Sequence, residues 1–146
     1  PDGHEDEERE GGYRDPAETI DDDYPVWLTT GRRLQSYHTR TQTGRSQGIE
    51  YLLPEETLEV HPADVASLGL SDGCWCQMSS RRGSVAVKVK ATSRSPRGTV
   101  FASFSFNDVP VNILTGSGYD PISYTAELKV CPVRIEPVMD SAAVSA

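Results

Sequence analysis

The chain has 146 residues, room for one domain with one core and little more. Hydrophobic residues make up 36% and aromatic residues 8%, so the core must be modest and part of the chain is expected to stay unpacked. A net charge of −8 argues against nucleic acid as the main partner, and no apolar run reaches membrane-spanning length, so membrane insertion is not expected.

Residues 1–23 are Asp, Glu, Gly and Arg with almost nothing apolar. Glu5-Asp6-Glu7-Glu8 and Asp21-Asp22-Asp23 are like-charge runs, and the stretch is expected to be a disordered acidic linker with His4 simply solvated. The chain opens on Pro1 without a charged-then-apolar leader, so it is expected to be a piece of a longer polypeptide, cytoplasmic in location.

From Tyr24 to Arg45 the chain opens as a short apolar strand, Val26-Trp27-Leu28, and ends in a polar run unsuited to a core. That run gathers Thr29, Thr30, Gly31, Arg32, Tyr37, His38, Thr39, Thr41 and Thr43. Thr and Gly let hydroxyl and backbone donors approach a phosphate, Arg forks onto it, and Tyr or His can lie against a flat ring. The same residues also suit an ordinary polar hairpin, and residue types alone leave both readings open.

Beyond it, Ile49, Leu52 and Leu53 at helical spacing predict a short helix over 46–53, stopped by Pro54. Thr57 to Val60 alternates as a strand. Pro62 and Asp64 then open a helix that Gly69 ends, with His61 as its entry residue. Cys74 to Ser79 reads as a strand, residues 80–84 as a hairpin turn, 85–91 as the clearest strand, and 99–106 as another. The 3 cysteines, Cys74, Cys76 and Cys131, are an odd number, which argues against a disulfide framework. Cys74-Trp75-Cys76 is expected to be two small core residues on one strand face rather than a metal or redox pair. The order describes a compact, mainly β barrel or sandwich with few helices.

The segment LTTGRxLxxYHTxTxTxR resembles the opening of the molybdopterin-dinucleotide-binding domain in molybdenum and tungsten oxidoreductases of the dimethyl-sulfoxide-reductase family. It is most similar to that of formate dehydrogenases, with periplasmic-type nitrate reductases as the alternative. Further landmarks follow in order: NDVPVNILT resembles the family's ANxLT segment, Asp120-Pro121-Ile122 its DPI element, and residues 127–136 its PEYKxCAVRVE ending. Pro1-Asp2-Gly3 and Tyr13-Arg14-Asp15-Pro16 resemble the linker that precedes the domain. Departures are Gln35-Ser36 for the usual Glu-His, Tyr37 for Trp, Ala126 for Pro, Leu128 for Tyr and Pro132 for Ala.

The resemblance implies a double-psi β-barrel over 24–137, with 1–23 as linker and 138–146 as a flexible tail. It also implies a molybdopterin guanine dinucleotide bound through Thr30, Gly31, Arg32, Leu34, Tyr37, His38, Thr39, Thr41, Phe104, Asn112 and Lys129. Thr30, Gly31 and Arg32 would meet the pyrophosphate and pterin end, and Asn112 a pterin edge. The molybdenum or tungsten ligand and the iron–sulfur cluster would come from elsewhere in the parent enzyme. The isolated chain is therefore expected to be a non-catalytic, monomeric cofactor-binding domain whose partners are the remaining domains of the catalytic subunit. Two other classes stay open: a self-cleaving pyruvoyl-dependent decarboxylase using Gly83-Ser84 or Gly116-Ser117, and a plain interaction module.

Overall fold

A computed structural model describes residues 15–120 and 122–138. The linker landmarks at 1–14, Pro121 and the tail at 139–146 fall outside the described residues. Six strands form a closed barrel in the order β1-β5-β2-β4-β3-β6. They are β1 (Val26–Gly31), β2 (Thr57–Val60), β3 (Trp75–Ser79), β4 (Ser84–Ala91), β5 (Thr99–Ser103) and β6 (Cys131–Pro137). Two short helices, α1 (Gln47–Leu52) and α2 (Pro62–Ser67), and single 3-10 turns at Thr43–Arg45 and Val111–Leu114 complete the described elements.

Strands β1 and β5 run parallel, as do β2 and β4, while the other neighbours are antiparallel. These non-sequential parallel pairs are what the expected barrel requires. Alternation along each strand explains closure: Val26, Leu28 and Thr30 of β1, Val85, Val87 and Val89 of β4, and Cys131, Val133 and Ile135 of β6 all turn inward. Leu58, Val60, Cys76, Met78, Val100 and Ala102 fill the rest of the interior.

The strand expected over 99–106 is shorter than that, and only the second part of the 127–136 segment is a strand. β5 stops at Ser103 because its N–H donates to the Glu56 carboxylate at 3.1 Å instead of continuing a ladder. β6 begins at Cys131 because Leu128 N–H turns back to the Ala126 carbonyl at 3.0 Å. The first strand is longer than expected, running through Thr29, Thr30 and Gly31.

The directions of the strands put three connections at one mouth of the barrel. These are β1 to β2 (32–56), the β3–β4 hairpin (80–83) and β5 to β6 (104–130). The opposite mouth carries α2 and the β4–β5 loop (92–98). Residues 15–23 have no helix or strand and lie against the β3–β4 hairpin and β6 through Glu18 to Arg81 and Arg82, Asp21 to Arg81, and Asp23 to Arg134.

Candidate functional site

Every residue assigned by resemblance lies at one barrel mouth. Thr30 and Gly31 end β1, Arg32 to Thr41 occupy the β1–β2 connection, and Phe104, Asn112 and Lys129 belong to the β5–β6 connection. A parallel β1–β5 pair makes this inevitable, because both strands must deliver their following loops to the same side.

Thr30 is buried, contrary to its place in a solvent-facing polar run, and its hydroxyl donates to the Leu128 carbonyl at 2.5 Å. Lys129 returns the link, its Nζ donating to the Thr30 carbonyl at 3.1 Å while lying 5.7 Å from the Phe104 ring centre. Gly31 is required by close approach: a Cβ there would stand 2.6 Å from Phe101 Cε2. These contacts weld the end of β1 to the start of β6, leaving the next residues to project from a rigid support.

Arg32 is exposed, and its Nη2 meets His38 Nε2 at 3.3 Å. As donor, Arg32 needs an unprotonated Nε2 on His38 for that bond. The His38 ring stands edge-on to Tyr37 with centroids 5.2 Å apart and is 6.4 Å from Phe104. One cation, one imidazole and two aromatic rings therefore share a single corner of the mouth. Lys129 approaches the same Phe104. Thr39 and Thr41 join hydroxyl to hydroxyl at 3.2 Å on the exposed part of the loop. His38 and Arg40 hold φ of 49° and 60°, in the left-handed region that costs non-glycine residues energy and gathers at functional loops.

Other predicted residues stand apart. Leu34 is 99% exposed and makes the outer lip. Asn112 is exposed on its 3-10 turn, where its carbonyl accepts from the Thr115 hydroxyl at 2.8 Å; among the described residues its side-chain amide makes no hydrogen bond to the Arg32 corner. Leu128, where the family usually has Tyr, contributes its carbonyl rather than its side chain. Of the Gly-Ser pairs, Ser84 is pinned by the Gln77 amide at 3.1 Å.

Sequence reasoning missed the residues beneath the loop. Arg33 donates to Glu56 at 2.8 Å, Glu59 at 2.9 Å and the Thr57 carbonyl at 2.8 Å, and Glu56 also accepts the Ser103 N–H and hydroxyl. Burial pulls the Arg33 pKa down, but the bonds and charge of Glu56, then Glu59, raise it on balance. Arg40 is also buried, 4.2 Å above the Phe106 ring and paired with Glu50 at 2.6 Å. The signal for both was an arginine-rich run followed by the carboxylates Glu50, Glu56 and Glu59, which sequence order alone did not connect.

Among the described residues, three buried side-chain polar atoms lack a hydrogen-bond partner: Ser36 Oγ, Arg40 Nε and Ser105 Oγ. All lie in the two connections that form this mouth. Unmet donors, exposed Arg32 and Lys129, and aromatic faces fit a large anionic ligand with a flat ring system. The described residues hold no cluster of His, Cys, Asp or Glu suited to a metal. Burial first, and then nearby Cys74, push the Cys76 thiol up to about 12, so it stays protonated at neutral pH.

A profile of the molydopterin dinucleotide binding domain matches residues 26–132. The alpha subunit of F420-dependent formate dehydrogenase 2 from Methanococcus maripaludis is 40% identical over 126 residues, covering 86% of this chain and 19% of that protein. The F420-dependent formate dehydrogenase alpha subunit of Methanocaldococcus jannaschii is 40% identical over 124 residues, covering 85% and 18%. The chain thus spans about a fifth of the length of these relatives. Acetylene hydratase from Pelobacter acetylenicus shares the fold with a TM-score of 0.66 and 17% identity, over 79% of this chain and 18% of that one.

Proposed function

We propose, from the premise that this chain belongs to the molydopterin dinucleotide-binding domain family, that its barrel mouth grips a molybdopterin guanine dinucleotide in a formate-oxidising catalytic subunit. The observation that carries the substrate is the 40% identity, over most of the chain, to alpha subunits named as formate dehydrogenases. When bound in the parent protein, the cofactor's molybdenum or tungsten supplies the two-electron chemistry of formate oxidation.

This chain's residues would bind and orient. Arg32 offers two parallel donors to phosphate oxygens, and Lys129 adds a point charge by the Phe104 ring. The Thr39 and Thr41 hydroxyls can exchange their mutual bond for bonds to the same anion. His38, Tyr37 and Phe104 present ring faces and edges to a flat pterin. Gly31 lets the backbone come close, Thr30 anchors the end of β1 beneath the site, Leu34 forms its lip, and Asn112 supplies an amide able to donate and accept at a pterin edge. Arg33 and Arg40 hold the loop from below.

The remaining domains of the catalytic subunit are the proposed partners, bringing the metal ligand and any iron–sulfur cluster. A cytoplasmic compartment is the proposed location, supported by three cysteines that remain free thiols. No helix among the described residues is long and apolar enough to cross a membrane.

The test is to purify the parent subunit with this domain in place and assay it with formate and with nitrate. Formate oxidation with guanine nucleotide released on denaturation is the expected result. Nitrate reduction without formate oxidation would overturn the substrate while leaving the cofactor reading intact.

A further inference from the structure

An open cleft of about 500 Å³ runs from the β1–β2 connection at the mouth along the barrel flank to the β4–β5 loop. Its upper end is Arg32, its lower end is Arg94 in the β4–β5 loop, and its floor includes Thr29 of β1 and Thr99 of β5. The volume falls within the range of roughly 300–1,000 Å³ usual for small-molecule sites. We propose that this cleft seats the diphosphate of the dinucleotide between Arg32 and Arg94, so that the binding surface continues from the mouth onto the flank. This rests on the reading that Arg32 meets the cofactor, and adds Arg94 and the flank hydroxyls to it.

Charge carries the argument. Three guanidinium groups, from Arg32, Arg33 and Arg94, line the cleft against one carboxylate, Glu59, which Arg33 already neutralises at 2.9 Å. The cleft is thus positive in a chain whose net charge is −8. Elsewhere acid is plentiful and is used: among the described residues, Arg33, Arg40, Arg81, Arg82, Lys88, Arg97 and Arg134 all pair with carboxylates. Among the described residues Arg94 and Arg32 have no such partner, in common with Arg45, Lys90 and Lys129, but of these five only Arg94 and Arg32 line the cleft. The contrast is sharpest within one loop, where Arg97 pairs with Asp64 at 3.4 Å and Arg94, three positions earlier, is left to the cleft.

Two arginines at opposite ends of a cleft suit an anion with two charged centres better than one with a single centre. A guanidinium takes two oxygens of one phosphate, and a diphosphate presents one such face to each end. The threonine hydroxyls on the floor can donate to oxygens between them. An uncharged ligand would leave both cations unneutralised in a partly enclosed space.

The experiment titrates the full chain with inorganic pyrophosphate and with guanosine 5′-diphosphate, read by calorimetry and by amide chemical shifts. Both probes should saturate, shifting amides of 29–35 and 94–99 together. Arg94→Ala should weaken binding about tenfold, the loss of one charge-assisted contact, whereas Arg97→Ala on the same loop should change it less than about twofold. Thermal melts should be equal in both variants, since both side chains are exposed. Unchanged affinity in Arg94→Ala, or no saturable binding of either probe, overturns the proposal. If Arg32→Ala and Lys129→Ala weaken binding while Arg94→Ala does not, the anion stays at the mouth and only the flank extension fails. The mouth reading fails separately, if the parent enzyme keeps its full cofactor content without Arg32.

Discussion

Arg33→Ala tests the claim that the site rests on a buried ion network. The side chain is 10% exposed, and its partners Glu56 and Glu59 are 0% and 7% exposed. Alanine would strand two buried carboxylates and leave the Thr57 carbonyl without its donor. Removing one partner from a buried ion pair typically costs about 3–5 kcal/mol. Glu56 keeps its bonds from Ser103, which argues for the lower half of that range. At about 3 °C per kcal/mol for a domain of this length, the melting temperature should fall by about 10 °C. Arg33→Lys should recover only part of the loss, because a single ammonium cannot reach Glu56, Glu59 and Thr57 together. The assay is a thermal melt with a denaturant titration. A loss below about 1 kcal/mol, the level of an exposed pair, would refute the reasoning.

Three further outcomes are expected. Hydrogen bonding from Arg82 holds the Glu18 carboxyl below its ordinary range, against a smaller opposing push from burial. A depressed folded-state pKa gives docking a stability that is full above the unfolded value and lost as pH falls through the folded one, so residues 15–23 should detach in acid below the ordinary carboxylate range and in molar salt. Amide exchange across 15–23 measures this, and rates indifferent to both acid and salt would contradict it. Alkylation at pH 8 should modify Cys74 well before Cys76 and Cys131, whose thiols burial pushes up, and mass mapping of a rapid Cys76 adduct would count against the core reading. Gly31→Ala should cost about 1–3 kcal/mol through the Phe101 clash, and a neutral melt would show that the ring simply moves aside.

Much of the fold was legible because it is written in alternation. The period-two pattern of Val85 to Lys90 and the Pro62–Asp64 helix entry reappear nearly residue for residue. The strand ends were not legible where side chains took over backbone bonds. Nothing local marks Ser103 as the residue whose N–H turns to Glu56, a carboxylate 47 positions away in sequence. The candidate site was legible as a motif, since the TTGR and YHT segments hold both halves of the Arg32–His38 contact. Its support was not. Arg33 and Arg40 look like more solvated charge until the fold brings Glu56 and Phe106 to them. The burial of Thr30 was hidden for a related reason: a hydroxyl enters the core only if an acceptor awaits it, and Leu128 lies 98 positions on. Arg94 carries no motif at all and becomes notable only beside the cleft.

Central to the account is that the Arg32 corner of the mouth holds an anionic cofactor rather than the barrel itself. The most direct measurement is molybdenum or tungsten and guanine nucleotide content per purified parent enzyme for Arg32→Ala and Arg32→Lys, beside thermal melts of the same chains without cofactor. A charge-assisted contact worth about 1.5–3 kcal/mol should make the alanine variant lose cofactor and the lysine variant keep an intermediate share, with both melts unchanged. Full cofactor content in Arg32→Ala, or a collapsed melt in its absence, would make Arg32 a structural arginine and contradict the account.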